Sequence, residues 1–268
     1  MPELPEVETI VRELREKIIN EVFSNVEIIW SRSYVTENSV SLPNRQIMAI
    51  ERKGKYIIFL LDKYYLITHL RMTGQLIVSD SIPENDKHLR VIFQFKSGKY
   101  ILFYDLRKFG RIHLTNNPNT VLKNIGVDAI SEEFTPDKFL KMLKEKTTRI
   151  KSYLLDQRNI AGLGNIYIDE SLFESHIHPE TRVNDLDSDQ AKELFQAIRK
   201  ILYQSIDKMG TTISNYKTSG GGFGANQNYL KVYQRQNQPC LVCFSPIEKI
   251  RLNGRGTHFC PQCQKKIL

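Results

Sequence analysis

Between residues 4 and 18 apolar side chains recur at three- and four-residue spacing: Val7, Ile10, Val11, Leu14 and Ile18. That period places them on one face of a helix. Pro5 suits its first turn, where a missing N–H costs nothing, and Glu6 and Glu8 lie where the helix dipole favours anions. From about residue 21 to 115 the pattern changes to short runs rich in β-branched and aromatic residues, at 26–30, 56–61, 65–68, 75–78, 91–95, 100–104 and 111–114. Turns such as Lys53-Gly54-Lys55 and Lys96-Ser97-Gly98-Lys99 separate them, which predicts an antiparallel β-sandwich.

Beyond residue 130 the helical period returns. Phe139, Leu140, Met142 and Leu143 belong to a helix starting near Thr135-Pro136, and residues 150–155 form a second. A third, 165–173, is entered through Ala161-Gly162-Leu163-Gly164, with Asn165 expected as its N-cap. A long fourth opens at Asp187-Ser188-Asp189-Gln190, the spacing of a capping box. Ser219-Gly220-Gly221-Gly222-Phe223-Gly224 cannot hold a fixed helix cheaply and predicts a mobile loop. The expected class is α+β and multidomain, divided at 1–130, 131–230 and 231–268.

With 41% hydrophobic and 25% charged residues over 268 positions, the chain can build a sizeable core. No apolar run approaches the roughly eighteen residues of a membrane span. The acidic, proline-broken N-terminus lacks the pattern of a secretion signal, so a cytoplasmic protein without membrane association is expected. The formal net charge is +8, a modest pointer to a polyanionic partner. Its distribution says more. Residues 231–268 hold Lys231, Arg235, Lys249, Arg251, Arg255, Lys265 and Lys266 against Glu248 alone, a net +6.

All four cysteines fall in that basic tail. Cys240-x2-Cys243 and Cys260-x2-Cys263 stand sixteen residues apart, the spacing of a zinc ribbon, in which two pairs of thiolates complete a tetrahedron around one structural Zn²⁺. A redox dithiol pair fits the double motif less well. Gly162-x-Gly164-Asn165, leading into a helix near Lys151, could grip a phosphate on unpaired N–H groups, or form only a tight turn between packed helices. Pro2 would become a secondary amine on loss of Met1, and Glu3 and Glu6 beside it could move protons. The plain alternative is a chain end with ordinary acidic capping. Arg71 and Arg90 read as solvated surface, and His176-Ile177-His178 lacks the neighbours of a second metal site.

Met1-Pro2-Glu3-Leu4-Pro5-Glu6-Val7-Glu8-Thr9, Lys53-Gly54-Lys55-Tyr56, Leu106-Arg107-Lys108-Phe109-Gly110, Gly162-Leu163-Gly164-Asn165-Ile166-Tyr167 and the four-cysteine tail, taken in order, resemble bacterial formamidopyrimidine-DNA glycosylase. The match runs from residue 2 to 263. The resemblance implies a β-sandwich domain, a helix–two-turn–helix domain and a zinc finger. It implies excision of oxidised purines from damaged double-stranded DNA through a proline Schiff base, followed by β,δ-elimination. Pro2 would be the nucleophile, Glu3 the acid that opens the sugar, Lys55 a proton donor in β-elimination, and Arg255 a phosphate grip linked to δ-elimination. Met72, Arg107 and Phe109 would fill the space of the extruded base. His88, Lys146, Lys151 and Asn165 would contact DNA, residues 219–224 would cap the lesion, and the protein would act as a monomer. Two other readings stay open: an endonuclease VIII-type glycosylase for oxidised pyrimidines, and a zinc-ribbon DNA-binding protein without catalysis.

Overall fold

The computed structural model describes residues 1–37, 39–144, 146–213 and 216–266. The chain forms two compact units, Met1–Asn124 with Lys208–Gln227, and Ile125–Asp207 with Asn228–Leu268. Among the described residues no helix is long and apolar enough to cross a membrane.

The first unit begins with helix α1 (Leu4–Ile18). Nine strands follow: β1 (Phe23–Ile28), β2 (Tyr34–Thr36), β3 (Ile47–Lys53), β4 (Tyr56–Leu61), β5 (Tyr65–His69), β6 (Gly74–Ser79), β7 (Leu89–Phe95), β8 (Tyr100–Asp105) and β9 (Arg111–Thr115). They make a four-stranded sheet, β1-β7-β8-β6, and a five-stranded sheet, β2-β9-β5-β4-β3. All pairs are antiparallel except β2 with β9. Alternate residues of both sheets enter one core: Phe59 and Leu66 from one, Phe93, Phe95 and Phe103 from the other. The apolar face of α1 closes it, and Val7, Ile10, Val11, Leu14 and Ile18 are fully buried, each such side chain contributing about 1.5–3 kcal/mol. The sequence pattern missed β3 because a bulge between Ile47 and Ala49 breaks its alternation. It missed β2 because three residues show no period. A one-turn helix, α2 (Asn119–Leu122), ends this stretch.

In the second unit a two-residue parallel bridge joins β10 (Val127–Asp128) to β11 (Ile160–Ala161). The helices are α3 (Pro136–Leu143), α4 (Ile150–Leu155), α5 (Asn165–Glu174) and α6 (Ser188–Asp207), and a hairpin of β12 (Glu248–Leu252) and β13 (Arg255–Phe259) follows. Thr135 caps α3 by accepting from Lys138 N–H. Asp187 Oδ1 accepts from Gln190 N–H while Gln190 Oε1 accepts from Asp187 N–H, the reciprocal box expected at α6. Gly164, not Asn165, is the N-cap of α5; Asn165 is its first helical residue. Every residue from Ile166 to Phe173 is buried. Such a helix has no solvent face, so its polar side chains need partners inside the protein.

Candidate active site

The start of α1 is a buried polar corner. Pro2 and Glu3 are both buried, and Glu3 is the N-cap. Glu6, one turn on, brackets the corner: Oε2 accepts Glu3 N–H at 2.7 Å and Oε1 accepts Thr211 N–H at 2.7 Å. Tyr216 adds a bond from its hydroxyl to Met209 O. Gly210, at φ 80, lies so close that a Cβ there would come within 2.7 Å of Glu6 Oε1. Lys55 occupies the two-residue turn between β3 and β4 behind Gly54, whose φ of 56 suits glycine, and Lys55 too is buried. His69 follows on β5. Burial, reinforced by the charges of Arg71 and Lys55, pushes its pKa down to about 3. Its Nδ1 accepts from Arg71 N–H, so the neutral ring carries its proton on Nε2.

Arg71 takes φ 54 and presents Met72, which is 40% exposed. Arg107 donates to Met72 Sδ at 3.0 Å, and its guanidinium lies 5.0 Å from the Phe109 ring centre. The structure therefore brings Met72, Arg107 and Phe109 together, with Phe109 49% exposed. Sequence reasoning did not single out the group that shapes this projection. The fully buried Asp105 carboxylate accepts from Thr73 Oγ1, Arg107 N–H and Gly110 N–H. Thr73 Oγ1 also accepts Arg107 N–H at 3.0 Å, tying the Met72 and Arg107 segments to each other. Arg90, expected on the surface, is buried and donates to the carbonyls of Asp105, Lys87 and Leu89. A guanidinium with five donors can satisfy several carbonyls at once, so here it is a structural brace.

A cavity of about 490 Å³ lies in the same unit, lined by Thr73, Gln75 and Ile77 of one segment, His88 and Tyr104 of the neighbouring strands' ends, and Lys217 and Gly221 of the returning chain. His88 Nδ1 is buried without a hydrogen-bond partner among the described residues. The glycine-rich stretch, expected to be mobile, is tied down: Val78 N–H bonds Ser219 O, and Glu13 Oε2 accepts both Ser219 Oγ and Gly220 N–H at 2.8 Å.

In the second unit the sulfurs of Cys240, Cys243, Cys260 and Cys263 all lie within 4.8 Å of one another, with Cys240–Cys263 at 3.9 Å and Cys243–Cys260 at 3.3 Å. A tetrahedral zinc with Zn–S near 2.3 Å needs sulfurs about 3.8 Å apart, so the donor set and spacing fit one structural zinc ion with no open position. The hairpin beside it turns through Asn253 and Gly254, at φ 48 and 75, the left-handed pair of a type I′ turn. This places the exposed Arg255 at the tip.

Expected as a DNA contact, Lys151 is fully buried, its ammonium paired with Asp169 at 2.6 Å. Asp169 Oδ2 accepts His258 N–H at 2.9 Å. Lys151 Nζ and Asn165 Nδ2 both reach Gly256 O, at 3.4 and 2.8 Å. Lys151 thus fastens the hairpin residue next to Arg255. Glu170, whose burial raises its pKa against the pull of three hydrogen bonds, accepts the N–H groups of Lys231, Val232 and Tyr233 and anchors the segment leading to the zinc site. Lys146 stands exposed after α3.

Three family models match in order: the formamidopyrimidine-DNA glycosylase N-terminal domain over residues 1–112, the formamidopyrimidine-DNA glycosylase H2TH domain over 125–217, and the zinc finger found in FPG and IleRS over 237–266. The chain is 39% identical over 272 residues to the formamidopyrimidine-DNA glycosylase of Herpetosiphon aurantiacus, covering 98% of this chain and all of that one. It is 38% identical to the Listeria monocytogenes protein of that name, over 99% of this chain and all of that one. Among solved structures it resembles a Lactococcus lactis Fpg variant in complex with Fapy-dG-containing DNA, with TM-score 0.92 and 37% identity over 99% of this chain and all of that one. It also resembles the Thermus thermophilus MutM (Fpg) protein, with TM-score 0.90 and 34% identity over the full length of both. The chain belongs to the formamidopyrimidine-DNA glycosylase family.

Proposed function

We propose that this chain removes 8-oxoguanine and formamidopyrimidines from duplex DNA and then cuts the strand, with Pro2 as nucleophile. The observation that carries the reading is one unit that holds three things at once. These are the buried Pro2-Glu3 corner, the exposed Met72–Arg107–Phe109 projection and a cavity large enough for a purine. Met1 precedes Pro2 in this chain, so the proline nitrogen is an amide until Met1 is removed. Removal exposes a secondary amine with an ordinary pKa near 8. Its place before the positive end of α1 favours the neutral, nucleophilic form.

The amine attacks the sugar C1′ as the bond from C1′ to the base breaks, and the proton shed by the nitrogen passes to the departing base. Glu3 then protonates O4′, the C1′–O4′ bond opens, and the nitrogen lone pair forms an iminium ion. That cation makes the C2′ proton acidic. Its loss expels the 3′-phosphate, with Lys55 as the proton donor in this step, and a second elimination expels the 5′-phosphate. Extruding a base costs a few kcal/mol of stacking. Phe109 and Met72 filling the gap, and Arg107 bonding the orphaned cytosine, offset it. On the second unit Arg255 and Lys146 meet phosphates, Asn165 and Lys151 hold the Arg255 hairpin, and His88 on the first unit offers its ring to the backbone near the lesion. The zinc ion fixes the hairpin and takes no part in the chemistry. We take the protein to work as a monomer in the cytoplasm.

Borohydride reduces an iminium to a stable amine. The Met1-processed protein should be trapped covalently on a duplex with 8-oxoguanine opposite cytosine, and Pro2→Gly should trap poorly. No trapping on any damaged duplex would leave a DNA-binding protein without this chemistry. Preference for thymine glycol would place it with the pyrimidine-directed enzymes.

A further inference from the structure

One wall of the cavity comes not from the sheets but from the returning chain, through Lys217 and Gly221. Residues 218–222 form a tight, self-bonded loop: Thr218 N–H to Gly222 O, Gly221 N–H to Thr218 O, and Gly222 N–H to Thr218 Oγ1. Internal bonds fix its shape but not its position. Two anchors outside the loop do that. Val78 N–H holds Ser219 O from β6, and Glu13 Oε2 takes both Ser219 Oγ and Gly220 N–H at 2.8 Å. Ser219 is completely buried, so its hydroxyl has no water to turn to if Glu13 is removed. Gly220 sits so close to α1 that an added Cβ would lie 2.8 Å from Lys17 Nζ and 3.7 Å from Glu13 Oε2.

Among the described residues Glu13 makes no ion pair within α1. It is half-exposed on the polar side of the helix, and its carboxylate is directed to a loop more than two hundred residues away in sequence. It also stands two turns from Glu6, on the same side of α1. Glu6 holds the near end of the returning segment at Thr211, and Glu13 holds the far end at Ser219 and Gly220. A hydrogen bond to an ionised acceptor is roughly twice as strong as a neutral one, which suits a single side chain that must hold a glycine-rich loop in place.

We propose that Glu13 is a positioning residue of the base-binding cavity: its carboxylate latches the 218–222 loop as the wall against which an extruded base is read. The proposal rests on the glycosylase reading above. It separates two activities of one enzyme, because excision needs the base held in the cavity whereas cleavage at an abasic site has no base to hold.

The test uses the full, Met1-processed chain and two duplexes that differ only in carrying 8-oxoguanine or a preformed abasic site. In Glu13→Ala the ratio of excision rate to abasic-site cleavage rate should fall about tenfold. Hydrogen exchange should rise at residues 218–222 and stay unchanged in the strands of the sandwich. Glu13→Gln, which keeps a neutral acceptor in place, should lie between. Proportional loss on both duplexes with unaltered exchange would show general damage and overturn the proposal, as would an unchanged ratio. If the wild-type protein acts on neither duplex, the glycosylase reading falls; the latch is then decided by exchange alone, and unaltered exchange in Glu13→Ala overturns it.

Discussion

Lys151 and Asp169 form an ion pair from which water is excluded on both sides. Such a pair adds little over a well-packed apolar one, but losing one partner strands a buried charge at about 3–5 kcal/mol. Lys151→Met is expected to destabilise by that amount in urea unfolding, and Lys151→Met with Asp169→Asn, which removes the stranded charge and keeps an acceptor for His258 N–H, should recover much of it. Equal losses in the single and double variants would contradict this account. The same residue marks the limit of what the sequence reveals at this scale. The four cysteines declare their chemistry because ligand spacing is local, and the opening Pro2-Glu3 is contiguous. Lys151 reads as a phosphate contact because its partner lies eighteen residues on, across a turn whose path no local rule gives. Arg90 misleads partly for that reason: Asp105 O, at the end of β8, is fifteen residues on, although Lys87 O and Leu89 O lie in its own segment. Asp105 escaped notice since Thr73, thirty-two residues back, reaches it only when the sandwich forms, while Arg107 and Gly110 belong to its own turn.

Among the elements, the zinc hairpin depends most on something other than packing. Its own buried apolar groups amount to Cys240, Ile247, Leu252, Phe259 and Cys260, too few to order thirty residues without metal. Stripping zinc with a chelator should unfold residues 237–266, seen by NMR, and weaken DNA binding, seen by fluorescence anisotropy. Binding retained after verified metal loss would refute the hairpin's role. Elements with strong local signals were legible: the face of α1, the Thr135 cap of α3 and the Asp187–Gln190 box of α6. Those whose order comes from elsewhere were not. Strand β3 hides behind its bulge. The 219–224 stretch has the composition of a loose loop yet is fixed by bonds from Val78 and Glu13, neither of which is near it in sequence.

For the molecule as a whole, the basic excess sets how binding responds to salt. Phosphate contacts release counterions, so log K falls with log salt at about −0.9 per neutralised phosphate. Affinity for undamaged duplex should drop steeply between low and physiological salt, and Arg255→Ala should make the slope shallower by about one. A slope indifferent to salt would exclude phosphate-dominated binding. The whole-molecule arrangement also has a consequence for how the protein is made. Residues 208–227 complete the first unit, yet 83 residues of the second unit, 125–207, are synthesised before them. At about 5–20 residues per second the ribosome needs roughly 4–17 s to cross that interval. Throughout it the emerging chain carries its proline and its β-strands but neither the Thr211 N–H that engages Glu6 nor the wall that closes the cavity. A chain stopped before residue 208 lacks the Glu6 partner and the cavity wall, so it is expected not to excise a damaged base, which an excision assay on the truncated protein would check.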